Sequence, residues 1–125
     1  MKIKSIDHIV ITTKDLEKTI AFYTEILGME HILSWGVQHA LVFGNQKINL
    51  HSFKGEFQPC AENPEFGSQD LCFIFDGSIE DVKRELELKG VNIVLGIVDR
   101  EGACGKMKSI YLNDPDGNLI ELSEY

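Results

Sequence analysis

The chain has no surplus of positive charge. It carries 12 Lys and Arg against 20 Asp and Glu, a formal net charge of −8. Nucleic acid and anionic membrane surfaces both need Lys and Arg to neutralise phosphate, so neither is an expected partner. Long hydrophobic runs are missing as well, and no segment approaches the roughly 20 apolar residues of a membrane span. Met1-Lys2-Ile3-Lys4-Ser5 leads straight into a strand pattern, without the apolar stretch and cleavage site of a signal peptide. Cysteine is scarce. Cys60, Cys72 and Cys104 are odd in number and show no C-x-x-C spacing, which argues against a disulfide framework or a thiolate metal centre and fits a reducing cytoplasm. Cys72 lies in an apolar strand and reads as a packing residue.

What is present suits one domain. The 125 residues are 43% hydrophobic and 26% charged, an ordinary globular balance. Ile6-Asp7-His8-Ile9-Val10-Ile11 reads as a strand. Asp15 precedes a helical pattern through Leu16, Ile20, Phe22, Tyr23 and Ile26-Leu27 that Gly28 closes. Strand candidates follow at His31–Trp35, His39–Phe43 and Lys47–Phe53, and Gly44-Asn45-Gln46 makes a turn between the last two. Lys54 to Ser68, with Pro59 and Pro64, shows no period and reads as a linker. The order then repeats. Asp70–Phe75 is a strand, and Ser78 caps a helix over Ile79–Lys89 that buries Val82 and Leu86, with Leu88 a further candidate for that face. Gly90 ends this helix. Strands are expected at Asn92–Leu95, Lys108–Leu112 and Asn118–Ser123, the last two joined by the turn Asp114-Pro115-Asp116-Gly117. The expected fold is therefore α+β, a single domain over residues 1–125. Module one covers about 3–53, the linker about 54–68 and module two about 69–125. Each module is βαβββ, with one sheet face under its helix and the other free to line a cleft.

Strand alternation says what that free face carries. The apolar sets belong under the helices, which leaves His8, Asn49, His51, Asp70 and Glu121 on the other face. Buried carboxylates among imidazoles are costly unless paired or bound to metal. Neutral His nitrogens with carboxylate oxygens suit Ni, Co, Mn, Fe or Zn more than Mg or Ca. Taken singly, a strand His is more often a hydrogen-bonded core or edge residue than a ligand, and a Glu near a C-terminus is more often solvated. Matching positions in two repeats favour the metal reading most for His8 and Glu121. His31 and His39 lack that support and read as surface residues. Ser109 and Tyr111 share a strand face, and Arg100, Lys106 and Lys108 flank Gly102-Ala103-Cys104-Gly105, which reads as a mobile flap rather than a phosphate loop.

Three segments carry a resemblance: Asp7-His8-Ile9-Val10, then Phe22-Tyr23 through Leu27-Gly28-Met29, then Asp114-Pro115-Asp116-Gly117-Asn118-Leu119-Ile120-Glu121. With the repeat, they make the chain similar to the vicinal oxygen chelate superfamily, the glyoxalase/bleomycin-resistance/dioxygenase group. Gln46–His51, Arg100–Ala103 and Ser109-Ile110-Tyr111 look most like small glyoxalase-domain-containing proteins, including a bacterial virulence-associated group. The resemblance implies metal ligands from the first and last strands of each module, which fall on His8, Asn49, Asp70 and Glu121. His51 is a candidate to replace the imidazole that Asp70 lacks. Two modules leave edges and an open cleft that a second copy can complete, so a symmetric homodimer is expected, and the resemblance allows facing modules either in one chain or in different chains.

The functional expectation is a metal-dependent, lactoylglutathione-lyase-like lyase or isomerase acting on a small oxygenated substrate. Glu121 would move the proton, His51 would be a ligand or second base, and Asn49, Arg100, Ser109 and Tyr111 would bind substrate. The alternatives are a non-catalytic binding protein of bleomycin-resistance type, or a thiol transferase or dioxygenase. Thr12 stands near where bacterial glyoxalase I carries an Arg for glutathione, so weak use of glutathione adducts is expected.

Overall fold

The computed structural model describes residues 1–125. They form two compact units, Met1–Gly67 and Ser68–Tyr125. The first contains β1 (His8–Thr12), α1 (Leu16–Ala21) with a π-helical continuation over Phe22–Ile26, β2 (Glu30–Ser34), β3 (Gln38–Phe43) and β4 (Gln46–His51). The second contains β5 (Asp70–Ile74), α2 (Ile79–Leu88), β6 (Leu95–Gly102), β7 (Gly105–Asn113) and β8 (Leu119–Glu124). Each unit holds one four-stranded sheet, ordered β1-β4-β3-β2 and β5-β8-β7-β6. The helix carries the chain from the first strand to the far edge, and a three-stranded meander walks back. The last strand thus lands beside the first and must run parallel to it. The α+β reading with repeated βαβββ order is what the structure has.

Asp15 caps α1 by accepting a hydrogen bond from the Lys18 amide at 3.1 Å. The helix then widens. The Leu27 amide reaches the Phe22 carbonyl at 3.3 Å, and the Thr24 hydroxyl donates back to the Ile20 carbonyl at 2.7 Å. This π-turn coincides with the consecutive aromatics Phe22 and Tyr23. Both are buried, their rings edge-to-face at 5.0 Å, and Ile11, Leu41, Ile48 and Leu50 of the sheet are buried as well. In the second unit Ile79 and Leu86 of α2 are buried, as are Ile110, Leu112, Ile120 and Leu122 of the sheet. Fully burying such an aliphatic side chain is worth about 1.5–3 kcal/mol. The α2 N-terminus is held twice. Ser78 Oγ accepts from the Asp81 amide at 3.2 Å, and Glu124 Oε2 accepts from the Ile79 amide at 2.7 Å.

Several expectations needed correction. Leu88 is 83% exposed; two residues past the buried Leu86, it points about 200° round the helix. The strand expected at Asn92–Leu95 instead begins at Leu95 and runs to Gly102. It is an edge strand, and edge strands tolerate charge. Its acidic residues face opposite charges, Asp99 opposite Lys108 and Glu101 opposite Lys106. The supposed mobile flap is the tight turn of the β6–β7 hairpin, with Gly102 paired to Gly105. Tyr125 pins it, because the Cys104 amide donates to Tyr125 Oη at 2.9 Å. Cys72 is exposed rather than packed.

Candidate functional site

In the first unit the parallel β1–β4 register sets His8 beside Lys47, Val10 beside Asn49 and Thr12 beside His51. All six therefore share one face, opposite the apolar face under α1. His8 is held at one ring nitrogen: Nδ1 lies 2.7 Å from Asp7 Oδ1, which leaves Nε2 as the ring's outward nitrogen. A carboxylate behind an imidazole is the usual support for a metal-binding histidine. Asn49 and His51 are buried, and Asn49 Oδ1 and His51 Nδ1 lack hydrogen-bond partners. Buried polar atoms are nearly always satisfied, so two orphans on one strand mark a place for a water or a ligand.

The linker after β4 shapes this corner. Phe57 packs against the His51 ring at 5.3 Å. Glu56 accepts from the Ser52 amide at 2.9 Å and the Ser52 hydroxyl at 2.7 Å. Burial pushes the His51 imidazole below its ordinary range, against the opposing charge of Glu56, and so favours the neutral ring. Burial acts to raise Glu56, but the two Ser52 hydrogen bonds and the nearby His51 and His39 leave it below the usual carboxylate value. No sequence motif signals Glu56 or Phe57, because they lie in the aperiodic linker.

In the second unit one row crosses three strands. Cys72 of β5, Glu121 of β8 and Tyr111 of β7 stand side by side. The next row is Ile74, Ser123 and Ser109. Arg100 of β6 donates from Nε to Tyr111 Oη at 2.9 Å and lies 5.3 Å from the centre of its ring. Ser123 donates to Glu121 Oε1 at 3.3 Å and shares hydrogen bonds with Ser109 at 2.7 Å and Cys72 at 3.3 Å. Burial raises the Tyr111 phenol; the Arg100 hydrogen bond opposes this and Glu121 adds to it. Cys72 is exposed as a residue, but partial desolvation of its thiol against the sheet raises it, opposed by Ser123 and reinforced by Glu121 and Asp70. Both groups are therefore protonated at neutral pH. Glu121 is a carboxylate flanked by hydroxyl and thiol donors, with a guanidinium one residue further out. Alternation placed Cys72 on this face, but only register shows it against Glu121; Ser123 was not singled out at all.

The sequence-derived residues thus divide. His8, Asn49 and His51 belong to the first unit, and Asp70, Arg100, Ser109, Tyr111 and Glu121 to the second. Within neither unit do three His, Cys, Asp or Glu side chains come close enough to hold an ion. Asp114, whose acidic surroundings resemble a calcium loop, is committed to its turn. It accepts from the amides of Asp116 and Asn118 at 3.0 and 2.9 Å and from the Asn118 side chain at 2.7 Å.

Comparison with known proteins gives a consistent neighbourhood. The family model described as the Glyoxalase/Bleomycin resistance protein/Dioxygenase superfamily matches residues 5–122. Virulence protein STM3117 of Salmonella typhimurium is 50% identical over all of this chain and 87% of its own. Its crystal structure superposes with a TM-score of 0.98 over 100% of this chain and 99% of that one. Glyoxalase domain-containing protein RDO1 of Mycosarcoma maydis is 50% identical, covering 100% of this chain and 70% of its own. More distant are metallothiol transferase FosB of Staphylococcus epidermidis and lactoylglutathione lyase of Schizosaccharomyces pombe. They are 30% and 31% identical, each over 98% of this chain, which spans 82% and 48% of their lengths.

Proposed function

The chain belongs to the Glyoxalase/Bleomycin resistance protein/Dioxygenase superfamily, and from that premise we propose that it is a metal-dependent lyase or isomerase acting on a small oxygenated substrate. The observation that carries this reading is the row around Glu121. A general base needs a carboxylate beside donors that receive the developing charge. Glu121 has the Tyr111 phenol as its neighbour across the strand, and that phenol is held by Arg100 at 2.9 Å. In this assignment Glu121 takes a proton from substrate carbon, and the Tyr111 hydroxyl and Arg100 guanidinium hold a substrate oxygen. Ser109 acts through Ser123, which positions the Glu121 carboxylate. Asn49 offers its free carbonyl oxygen to a substrate hydroxyl.

The donor set fits a divalent transition ion, drawn from Ni, Co, Zn, Mn and Fe. His8 is oriented by Asp7, and His51 is neutral with an orphaned nitrogen. His8 and Glu121 would be the ligands, joined by His51 or Asp70. Such an ion would polarise two adjacent substrate oxygens as a Lewis acid. A homodimer supplies both ligands if His8 and Glu121 come from different chains. In its favour, β1 and β5 are sheet edges, and Val10 and Ile74 expose 40% and 54% of their surface there. Light scattering should give a dimer mass at micromolar concentration; a monomer would remove this assembly. We place the protein in the cytoplasm, because Cys60, Cys72 and Cys104 are all free thiols, as a reducing compartment keeps them.

One observation favours a second reading, a non-catalytic small-molecule binder: no three potential ligands meet within a unit. Calorimetric titration of apo-protein with Ni, Co, Mn and Zn separates the two, and a chain that binds none of them is a binder. Turnover of the methylglyoxal–glutathione hemithioacetal should be weak, because Thr12 offers no cation to the glutathione carboxylates. Turnover at the level of a dedicated glyoxalase I would identify glutathione adducts as the substrate class.

A further inference from the structure

The first unit holds a second set of imidazoles, separate from the face that carries His8 and His51. His31 of β2 and His39 of β3 are diagonal neighbours on adjacent antiparallel strands, since His31 is opposite Leu41 and Leu33 is opposite His39. Strand register places them on the opposite side of the sheet from Asn49 and His51. His31 Nε2 lies 2.8 Å from His39 Nδ1. The rings are within 8° of parallel, with centroids 5.0 Å apart. That spacing matches two rings meeting edge to edge through their nitrogens rather than stacked face to face. β2 is the outer strand of its sheet, and His31 is exposed there.

We propose that His31 and His39 form a two-histidine chelate for a divalent late transition ion, Cu²⁺ above all. Imidazole nitrogens bind such ions at about 2.0–2.1 Å, so two ligands of one ion at 90–109° sit roughly 2.9–3.3 Å apart. The observed separation is close to that bite, and the strand pairing holds it in place. His31 is exposed and His39 half-buried, and each lone pair must turn roughly 35–45° off the line between the nitrogens to meet on a common ion. In exchange they give up one solvent-exposed hydrogen bond, which water can replace. No third His, Cys, Asp or Glu joins them, so water completes the coordination. Among divalent first-row ions the order of affinity for nitrogen donors peaks at Cu²⁺, with Ni²⁺ and Zn²⁺ below. Glu56, whose charge reaches His39, adds a field that favours a cation. The site is independent of the reading given above, because it shares no residue with it.

The test is a Cu²⁺ titration of the full chain, followed by calorimetry and by electron paramagnetic resonance. Wild type should show a class of site with nitrogen hyperfine structure. His31→Ala, His31→Gln and His39→Ala should each weaken it beyond the roughly 10–100-fold typical of outer-shell changes, with unchanged circular dichroism. They should also lose retention of the untagged chain on immobilised Cu²⁺ resin. His8→Ala should keep this class. The proposal is overturned if wild type shows no such class, or if the His31 and His39 variants bind Cu²⁺ as wild type does.

Discussion

The two units share strand order, a capped helix and a parallel closing strand, yet their polar faces are built in opposite ways. The face of the first is under-satisfied. Asn49 Oδ1 and His51 Nδ1 are buried without partners, and the one anchored imidazole is His8. The face of the second is cross-linked, from Arg100 to Tyr111 and from Ser123 to Glu121, Ser109 and Cys72. One unit offers an imidazole nitrogen and an amide oxygen that lack partners, while the other offers a carboxylate whose hydroxyl neighbours are already in place. A duplicated scaffold can therefore divide a site's chemistry while keeping its topology.

The division is broken most severely by charge removal. Glu121→Gln keeps the shape and deletes the negative charge. Under the proposed metal role, affinity for Ni, Co, Mn or Zn should fall by more than the roughly 10–100-fold of outer-shell changes. His8→Ala should do the same from the other unit. Titration of the apo-protein measures both, and a Glu121→Gln variant that binds as tightly as wild type removes Glu121 from the site.

A smaller, purely structural effect separates the hairpins of the two units. A Cβ on Gly102 would overlap Tyr125 Oη and come within 2.8 Å of Met107 Sδ. Both atoms are the far ends of flexible side chains that can swing aside, so the cost falls at the low end of core overpacking, about 1 kcal/mol. Urea denaturation of Gly102→Ala should show that loss, and Tyr125→Ala in the same background should recover part of it. At Gly36, in the β2–β3 turn of the other unit, a Cβ meets nothing within 4 Å, and only its φ of +72° opposes substitution. Gly36→Asn, which tolerates that conformation, should cost less than Gly102→Ala.

The smallest effect is a pH dependence confined to the first unit. The folded-state pKa of His51 is depressed by burial. The unfolded chain therefore binds the proton more readily, and the stability contributed by the neutral ring is complete above the unfolded value near 6.5. It is lost as pH falls from there through the folded value. Melting temperature should decline between pH 7 and pH 5 more steeply for wild type than for His51→Asn. Equal slopes would show that the ring titrates as it does in the unfolded chain.

How much of this was legible in the residues follows from the range of each signal. Capping and turn chemistry are local, so Asp15, Ser78 and the Asp114–Gly117 turn were readable directly. Alternation is local too, and it put His8, Asn49, His51, Asp70 and Glu121 opposite the apolar faces. β6 was missed because Asp99, Arg100 and Glu101 look like a loop until Lys106 and Lys108 are seen across the hairpin. The π-turn was invisible because Phe22-Tyr23 fits a 3.6-residue period nearly as well as the wider one. Cys72 was misjudged because its neighbours in sequence are apolar, while its neighbours in space are Glu121 and Ser123. The His31–His39 pair depends on a diagonal across two strands, which no single-strand pattern encodes.

The parallel pairing of first and last strands bears on the order in which the chain can organise itself. His8 finds its sheet partner only at Lys47, and Asp70 only at Leu119. Each sheet is thus closed by its most distant contact, the kind whose loop entropy must be met before any stabilisation returns. During synthesis β1 has no strand partner until β4 emerges, and β5 has none until β8 does. Every strand partner of the first unit is nevertheless available before Ser68 is made. A ribosome would therefore release one finished sheet, carrying two unsatisfied polar atoms, ahead of the second. The interval between the two closures is when a nascent chain is most exposed to pairing with the wrong edge.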